Sequence, residues 1–302
     1  MSDITVVNDL VSVRDYLRWA TSRFNEAELV FGHGTDNAWD DAVQLICYGL
    51  HLPLDAQNIL DARLSIWERQ RLVSLIDERI DTRKPVAYIT NRAWFAGLDF
   101  FVDERVLVPR SPIAELIQQH FAPWAPKFPG SILDLCTGSG CIAIACAMAF
   151  PDAVIDAADI DSGALEVAKK NVEHYALKER VHVLQSDLFS ALADKKYDLI
   201  VTNPPYVSEE EIAQLPQEFQ HEPKQGLFGQ GNDGLDLVQK ILQQSLQHLS
   251  KRGILVCEVG FSEAKLIERH PSVPFTWVEF QEGGQGVFVL TEDQLREFEG
   301  QW

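Results

Sequence analysis

Asn203-Pro204-Pro205-Tyr206 follows directly on the apolar run Tyr197-Asp198-Leu199-Ile200-Val201-Thr202. A buried strand would therefore deliver an amide, two prolines and an aromatic ring to one place. Adjacent prolines carry no backbone N–H and resist regular structure, so nearby carbonyls stay free to accept hydrogen bonds from a substrate NH2 group. Asn203 adds a side-chain carbonyl, and Tyr206 offers a flat face against which a planar amide or base can be held. The chemistry these residue types suit is the handling of a planar nitrogen. Pro-Pro alone is ordinary punctuation at a strand end. What raises the quartet above that is a glycine loop upstream.

That loop, Asp134-Leu135-Cys136-Thr137-Gly138-Ser139-Gly140-Cys141-Ile142-Ala143, places two glycines between an expected strand and an expected helix. Backbone can then approach a ligand closely. A lone GxG occurs in many turns, but here Asp159 closes the next expected strand, at the spacing where an acid accepts hydrogen bonds from both ribose hydroxyls. Asp187-Leu188 follows the third strand, at a position suited to an adenine. The third glycine of a dinucleotide fingerprint is missing, with Ala143 in its place, which disfavours nicotinamide and flavin; no GxxxxGK[ST] loop occurs either. A nucleoside without phosphates needs no basic cradle. S-adenosylmethionine is such a ligand, and its sulfonium suits acidic surroundings.

The elements that must position these residues read as an α/β fold. From Ser131 onward strand and helix patterns alternate, as in a parallel sheet covered by helices on both faces. Strands are expected at Ile132–Leu135, Ala153–Asp159, Val181–Gln185, Tyr197–Thr202, Gly253–Glu258, Phe275–Phe280 and Gly286–Leu290. Helices are expected at 140–150, 162–175, 235–249 and 263–270. The segment between Tyr206 and Asp233 is the longest expected loop, where a lid or a substrate-gripping element belongs. Residues 1–84 read as a small helical domain: Val13, Tyr16, Leu17 and Ala20 recur at helical spacing, and Ser65 is suited to cap a second helix. Residues 85–110, with the runs VAYIT, AWFAG and FFVDERVLV, read as a β-hairpin linker, and residues 111–302 as the catalytic domain.

Composition bounds the function. The formal charge of -19, from 26 basic and 45 acidic residues, disfavours direct nucleic-acid readout and favours a basic protein partner. No basic segment precedes an apolar one at the start, so a secretory signal is not expected. The longest apolar stretch, Cys141 to Phe150, is about half of a membrane span. Five cysteines without a CxxC pair suit reduced thiols in a cytoplasm and no metal site. Cys141 and Cys146 read as core, His33 as a turn residue, and His221 and Glu222 as loop surface or a grip on substrate.

The order of helical domain, LVPRSP, DLCTGSGCIAIA, Asp159, Ser186-Asp187-Leu188 and VTNPPYV resembles the HemK-type protein-glutamine methyltransferases along almost the whole chain. Within that family GHGTDNAWDDAVQL, AWFAGLDFFVDERVLVPRSPI and LDLCTGSGCIAIACA resemble the branch acting on the third ribosomal large-subunit protein. Cys136 stands where the commonest family loop has glycine, and Ser111-Pro112-Ile113 departs from the release-factor branch.

The resemblance implies a Rossmann-like class I methyltransferase with a seven-stranded, mostly parallel sheet and a helical domain that recognises the substrate. S-adenosylmethionine is then the methyl donor and S-adenosylhomocysteine the product. Asp134, Cys136, Thr137, Gly138, Ser139, Gly140, Asp159, Ile160, Asp187, Leu188 and Asn203 would meet the cofactor. Asn203, Pro204, Pro205, Tyr206 and Arg110 would meet the substrate, with Asn203, Pro204 and Tyr206 carrying catalysis. The expected substrate is a basic ribosomal protein. Release factors are the alternative, and DNA adenine methylation or a non-catalytic role in ribosome assembly are more distant ones.

Overall fold

The computed structural model describes residues 3–54, 57–281 and 283–302. The chain divides into two compact units: one holds the residues through Ala93 with Val102–Glu104 and Leu215–His221, the other Trp94–Phe101, Arg105–Gln214 and Glu222–Trp302.

The first unit is helical. Its main helices are Val13–Glu26, Ala38–Gly49 and Ile66–Thr82, and both Ser12 with Asp15 and Ser65 with Glu68 form reciprocal capping boxes. Tyr16, Phe24, Leu45, Ile46, Leu72 and Ile76 make its core. Within that core Arg79 donates through Nε to Asp41 Oδ2 at 2.9 Å, and Thr35 Oγ1 donates to Asp41 Oδ1 at 2.9 Å. Both charges are nearly solvent-free. The 3-10 helix Gln217–His221 belongs to this unit: Glu218 accepts from Val30 N and from Arg83 Nη1, and Phe219 lies against the His33 ring.

The run VAYIT, expected in a hairpin strand, forms the helix Val86–Thr90. Pro85 stands at the N-cap, where its missing N–H costs the helix nothing, and Asn91 ends the helix in the left-handed region, so local backbone chemistry outweighs β propensity. The hairpin itself is shorter, β1 (Arg92–Phe95) and β2 (Leu98–Phe101).

The second unit is built on a seven-stranded sheet of β3 (Ser131–Leu135), β4 (Val154–Asp159), β5 (Val181–Gln185), β6 (Tyr197–Thr202), β7 (Leu249–Glu258), β8 (Thr276–Trp277) and β9 (Val287–Thr291). Its order is β5-β4-β3-β6-β7-β9-β8, with β9 antiparallel to β7 and to β8 and the other pairs parallel. Leu133, Leu135, Ile200, Leu255 and Phe288 share one face, packed with Val238, Ile241 and Leu242 of the helix Asp236–Ser245. Helices Cys141–Ala149 and Ser162–His174 pack on β3 to β5. The chain reverses its path across the sheet between β3 and β6, the switch point at which open α/β sheets bind ligands.

Asp41→Ala leaves the Arg79 guanidinium buried without its carboxylate. It is expected to cost about 3–5 kcal/mol, read as an early loss of helical signal in denaturant titration; a wild-type midpoint would contradict the assignment.

Candidate active site at the carboxyl ends of the parallel strands

Register brings the two motifs of the sequence together. Leu135 at the end of β3 pairs with Ala158 on one side and with Thr202 at the end of β6 on the other. Thr202 Oγ1 donates to Leu135 O at 2.6 Å. The glycine loop and Asn203 therefore leave adjacent strands at one level.

The loop is held by buried acids. Asp134 Oδ2 accepts from Thr137 Oγ1 at 2.5 Å and from Ala143 N at 2.9 Å, which folds the loop back onto the start of its helix. Its other oxygen, Oδ1, is buried and, among the described residues, has no donor. Burial pushes the Asp134 carboxyl up to about 7. Asp159 Oδ2 accepts from Gly138 N at 2.8 Å and its Oδ1 from Asp161 N at 3.0 Å. Desolvation raises this carboxyl as well.

Gly138 has φ +54°, and a Cβ built on it would meet nothing within 4 Å, so the backbone presents an open face there. Gly140, with φ +79°, serves packing instead: its Cβ would press on Ala168 at 3.3 Å. Cys136 also has a positive φ, 61°, a conformation that costs a side-chain-bearing residue about 1–2 kcal/mol. A glycine there would carry no such cost.

The other expected cofactor residues line the same edge. Thr137 and Ser139 are buried, and Ser139 O accepts from Asn171 Nδ2. Ile160 follows Asp159 with an exposed apolar side chain, suited to a planar ring. Asp187 is exposed and Leu188 buried, in a turn where Ser186 N reaches Asp159 O and Ser186 Oγ reaches Leu188 O. An unmatched buried carboxylate oxygen, an open glycine face and an exposed apolar side chain in one row fit a nucleoside joined to a cationic amino-acid group.

In the quartet, Pro204 is buried and Asn203, Pro205 and Tyr206 are partly buried. Tyr206 OH donates to Glu258 Oε1 at 3.1 Å and Tyr206 O accepts from Ser262 Oγ. The glycine-rich stretch after it is a buttress as well as a connection: a Cβ on Gly229 would lie 2.7 Å from Pro205 O. The segment expected as one long loop contains the helices Glu209–Ala213 and Lys224–Leu227, and Phe228 bridges to Val207.

Arg110 makes a two-pronged pair with Glu222, Nη1 to Oε1 at 2.5 Å and Nη2 to Oε2 at 2.7 Å. Glu222 is buried and also accepts from Val108 N. The structure thus places Arg110 on an internal anchor. Glu222, read from the sequence as loop surface or a grip on substrate, is instead a buried internal partner, because its carboxylate is met by Arg110 and Val108 N. Sequence reasoning misses Glu258; its place at the end of the strand beside the quartet is the signal that could have found it.

A switch-point glycine loop, acids at successive strand ends and an Asn-Pro-Pro-Tyr turn on the neighbouring strand define a class I methyltransferase. The chain matches the methyltransferase small domain over residues 114–232. The ribosomal protein uL3 glutamine methyltransferase of Francisella tularensis is 44% identical over 96% of this chain and 93% of that protein. The one of Bordetella pertussis is 47% identical over 95% and 97%. The chain belongs to the ribosomal protein uL3 glutamine methyltransferase family.

Among solved structures, the hMettl16 catalytic domain in complex with a MAT2A 3'UTR hairpin is 22% identical, with TM-score 0.50, covering 74% of this chain and 80% of that one, and shows the fold. Among the described residues no helix is long and apolar enough to cross a membrane.

Asp134 and Glu258 are both raised to about 7 by burial, above their unfolded values. A group raised in this way contributes stability that is present below its unfolded pKa and lost as pH rises through its folded pKa. The stability of wild type relative to Asp134→Asn should therefore fall as pH rises from about 4 to about 7 and level off above that. Thermal melts across that range check it, and a constant difference would contradict the buried neutral carboxyl.

Proposed function

We propose that the chain transfers a methyl group from S-adenosylmethionine to the side-chain amide nitrogen of a glutamine in ribosomal protein uL3, releasing S-adenosylhomocysteine and, to solvent, one of the two amide protons. The observation that carries the reading is Asn203 at the end of β6, level with the Gly138 loop on β3. The family relationship and the acidic total of -19, suited to a basic ribosomal protein, support it. Release factors are the competing substrates of the same chemistry.

Asp134, Cys136 to Gly140, Asp159, Ile160, Asp187 and Leu188 would hold the cofactor, which supplies an electrophilic methyl group when bound. The difficulty lies in the acceptor. An amide nitrogen lends its lone pair to the carbonyl, the same delocalisation that gives peptide bonds a rotation barrier of ~18–20 kcal/mol. Among the described residues, neither the Asn203 side chain nor the Pro204 carbonyl takes a hydrogen bond from another residue. Both can accept an N–H of the substrate amide. Such acceptors orient the nitrogen and stabilise the positive charge that grows on it, without reorganising during the reaction. Pro205 shapes the pocket. The Tyr206 hydroxyl is engaged by Glu258, so the ring is what Tyr206 offers to the flat amide.

Asn203→Ala is expected to lower kcat for uL3 methylation about 100- to 1000-fold with folding and S-adenosylhomocysteine affinity largely kept. Transfer of labelled methyl to purified uL3 and release factor measures this. Unchanged turnover would remove Asn203 from the mechanism, and labelling of release factor in place of uL3 would move the substrate to the other branch.

A further inference from the structure

We infer that Glu258 is a positioning residue for methyl transfer, fixing the ring of Tyr206 by its hydroxyl and tying it to the Arg110-Ser111 strap. The inference rests on the proposed amide methylation at Asn203 and deepens it.

Glu258 ends β7, which runs parallel to β6 and pairs Cys257 with Thr202. The residue is only 5% exposed, and its two carboxylate oxygens go to two different segments. Oε1 accepts from Tyr206 OH at 3.1 Å and Oε2 from Ser111 Oγ at 2.5 Å. A buried carboxylate is costly unless its oxygens are met, so both donors hold it as firmly as it holds them. The Ser111 hydroxyl oxygen in turn accepts from Ile113 N at 3.1 Å, and the preceding residue is locked by the Arg110–Glu222 pair. The strap cannot shift without releasing Glu258.

The far side of the tyrosine is closed by backbone. A Cβ on Gly260 would lie 2.8 Å from Tyr206 Cε2, and one on Gly286 would lie 1.9 Å from Gly260 O. The ring therefore has a backbone stop on one side and a hydrogen-bonded anchor at its tip, while Ser262 Oγ fixes its carbonyl. Tyr206 is two residues from Pro204, whose carbonyl is one of the two acceptors for the substrate amide. Rotation of the ring would remove the face that keeps the amide in line with those acceptors. Reactions that depend on alignment lose rate steeply with small displacements.

Glu258→Met keeps the approximate volume and removes the acceptors, Glu258→Gln keeps an acceptor for Tyr206, and Tyr206→Phe removes the hydroxyl while leaving the ring. Methyl transfer to uL3 is measured with S-adenosylhomocysteine affinity on the same preparations. The expected result is a fall in kcat of roughly ten- to a hundredfold for Glu258→Met with cofactor affinity kept, recovery of most of that loss in Glu258→Gln, and a double variant Glu258→Met/Tyr206→Phe no slower than Glu258→Met alone. Wild-type kcat in Glu258→Met, or losses that multiply in the double variant, would overturn the inference while leaving amide methylation intact. Should Glu258→Met fail to fold, Tyr206→Phe and Glu258→Gln decide: the first must lose kcat and the second must keep most of it, and any other pattern overturns the inference. Absence of glutamine methylation by the wild-type protein would overturn the underlying reading together with the inference.

Discussion

The site depends on the parallel pairing of β3 with β6 at the centre of the sheet. The chain steps away from β3 in one direction through β4 and β5 and returns on its other side as β6, and such a reversal opens a crevice between the carboxyl ends of the two strands. Leu135 stands opposite Thr202, and the Thr202 hydroxyl closes that end onto Leu135 O. Leu199, Ile200 and Val201 are all fully buried, so β6 is covered on both faces and a register slip would have to repack both. Catalytic geometry here follows from strand packing.

Around this pairing the protein uses buried carboxylates as ties. Asp134 folds the glycine loop onto its helix, Asp159 fastens that loop to the end of β4, Glu222 clamps Arg110, and Glu258 joins Ser111 to Tyr206. Desolvation raises the carboxyl groups of Asp134, Asp159 and Glu258. The ties of Asp134 and Asp159 stay within the loop and the neighbouring strand end, while those of Glu222 and Glu258 join segments 52 to 147 residues apart. The cost in desolvation is offset by backbone and hydroxyl donors that would otherwise need water. The acidity that suits a cationic ligand and the rigidity of the loop share the same residues.

Much of the catalytic unit was legible because its strands carry strong local signals. The expected bounds of β5 and β6 match those observed, and the glycine loop and quartet fall at strand ends as their spacing implied. What local pattern could not reveal were long-range partners. Glu258 binds groups 52 and 147 residues away, and Arg110 finds Glu222 at a separation of 112. VAYIT carries β-branched and aromatic residues yet forms a helix between Pro85 and Asn91. The segment after Tyr206 reads as loop because its elements are short, while Glu218, Glu222 and Gly229 are fixed by residues remote in sequence.

A crystal structure of the protein with S-adenosylhomocysteine and a glutamine peptide from uL3 tests the central claim most directly. The expected result is an amide nitrogen within about 3 Å of both Asn203 Oδ1 and the Pro204 carbonyl, with the Tyr206 ring against the amide plane. A glutamine bound with its amide directed away from both acceptors, or a peptide that leaves this turn empty, would contradict it.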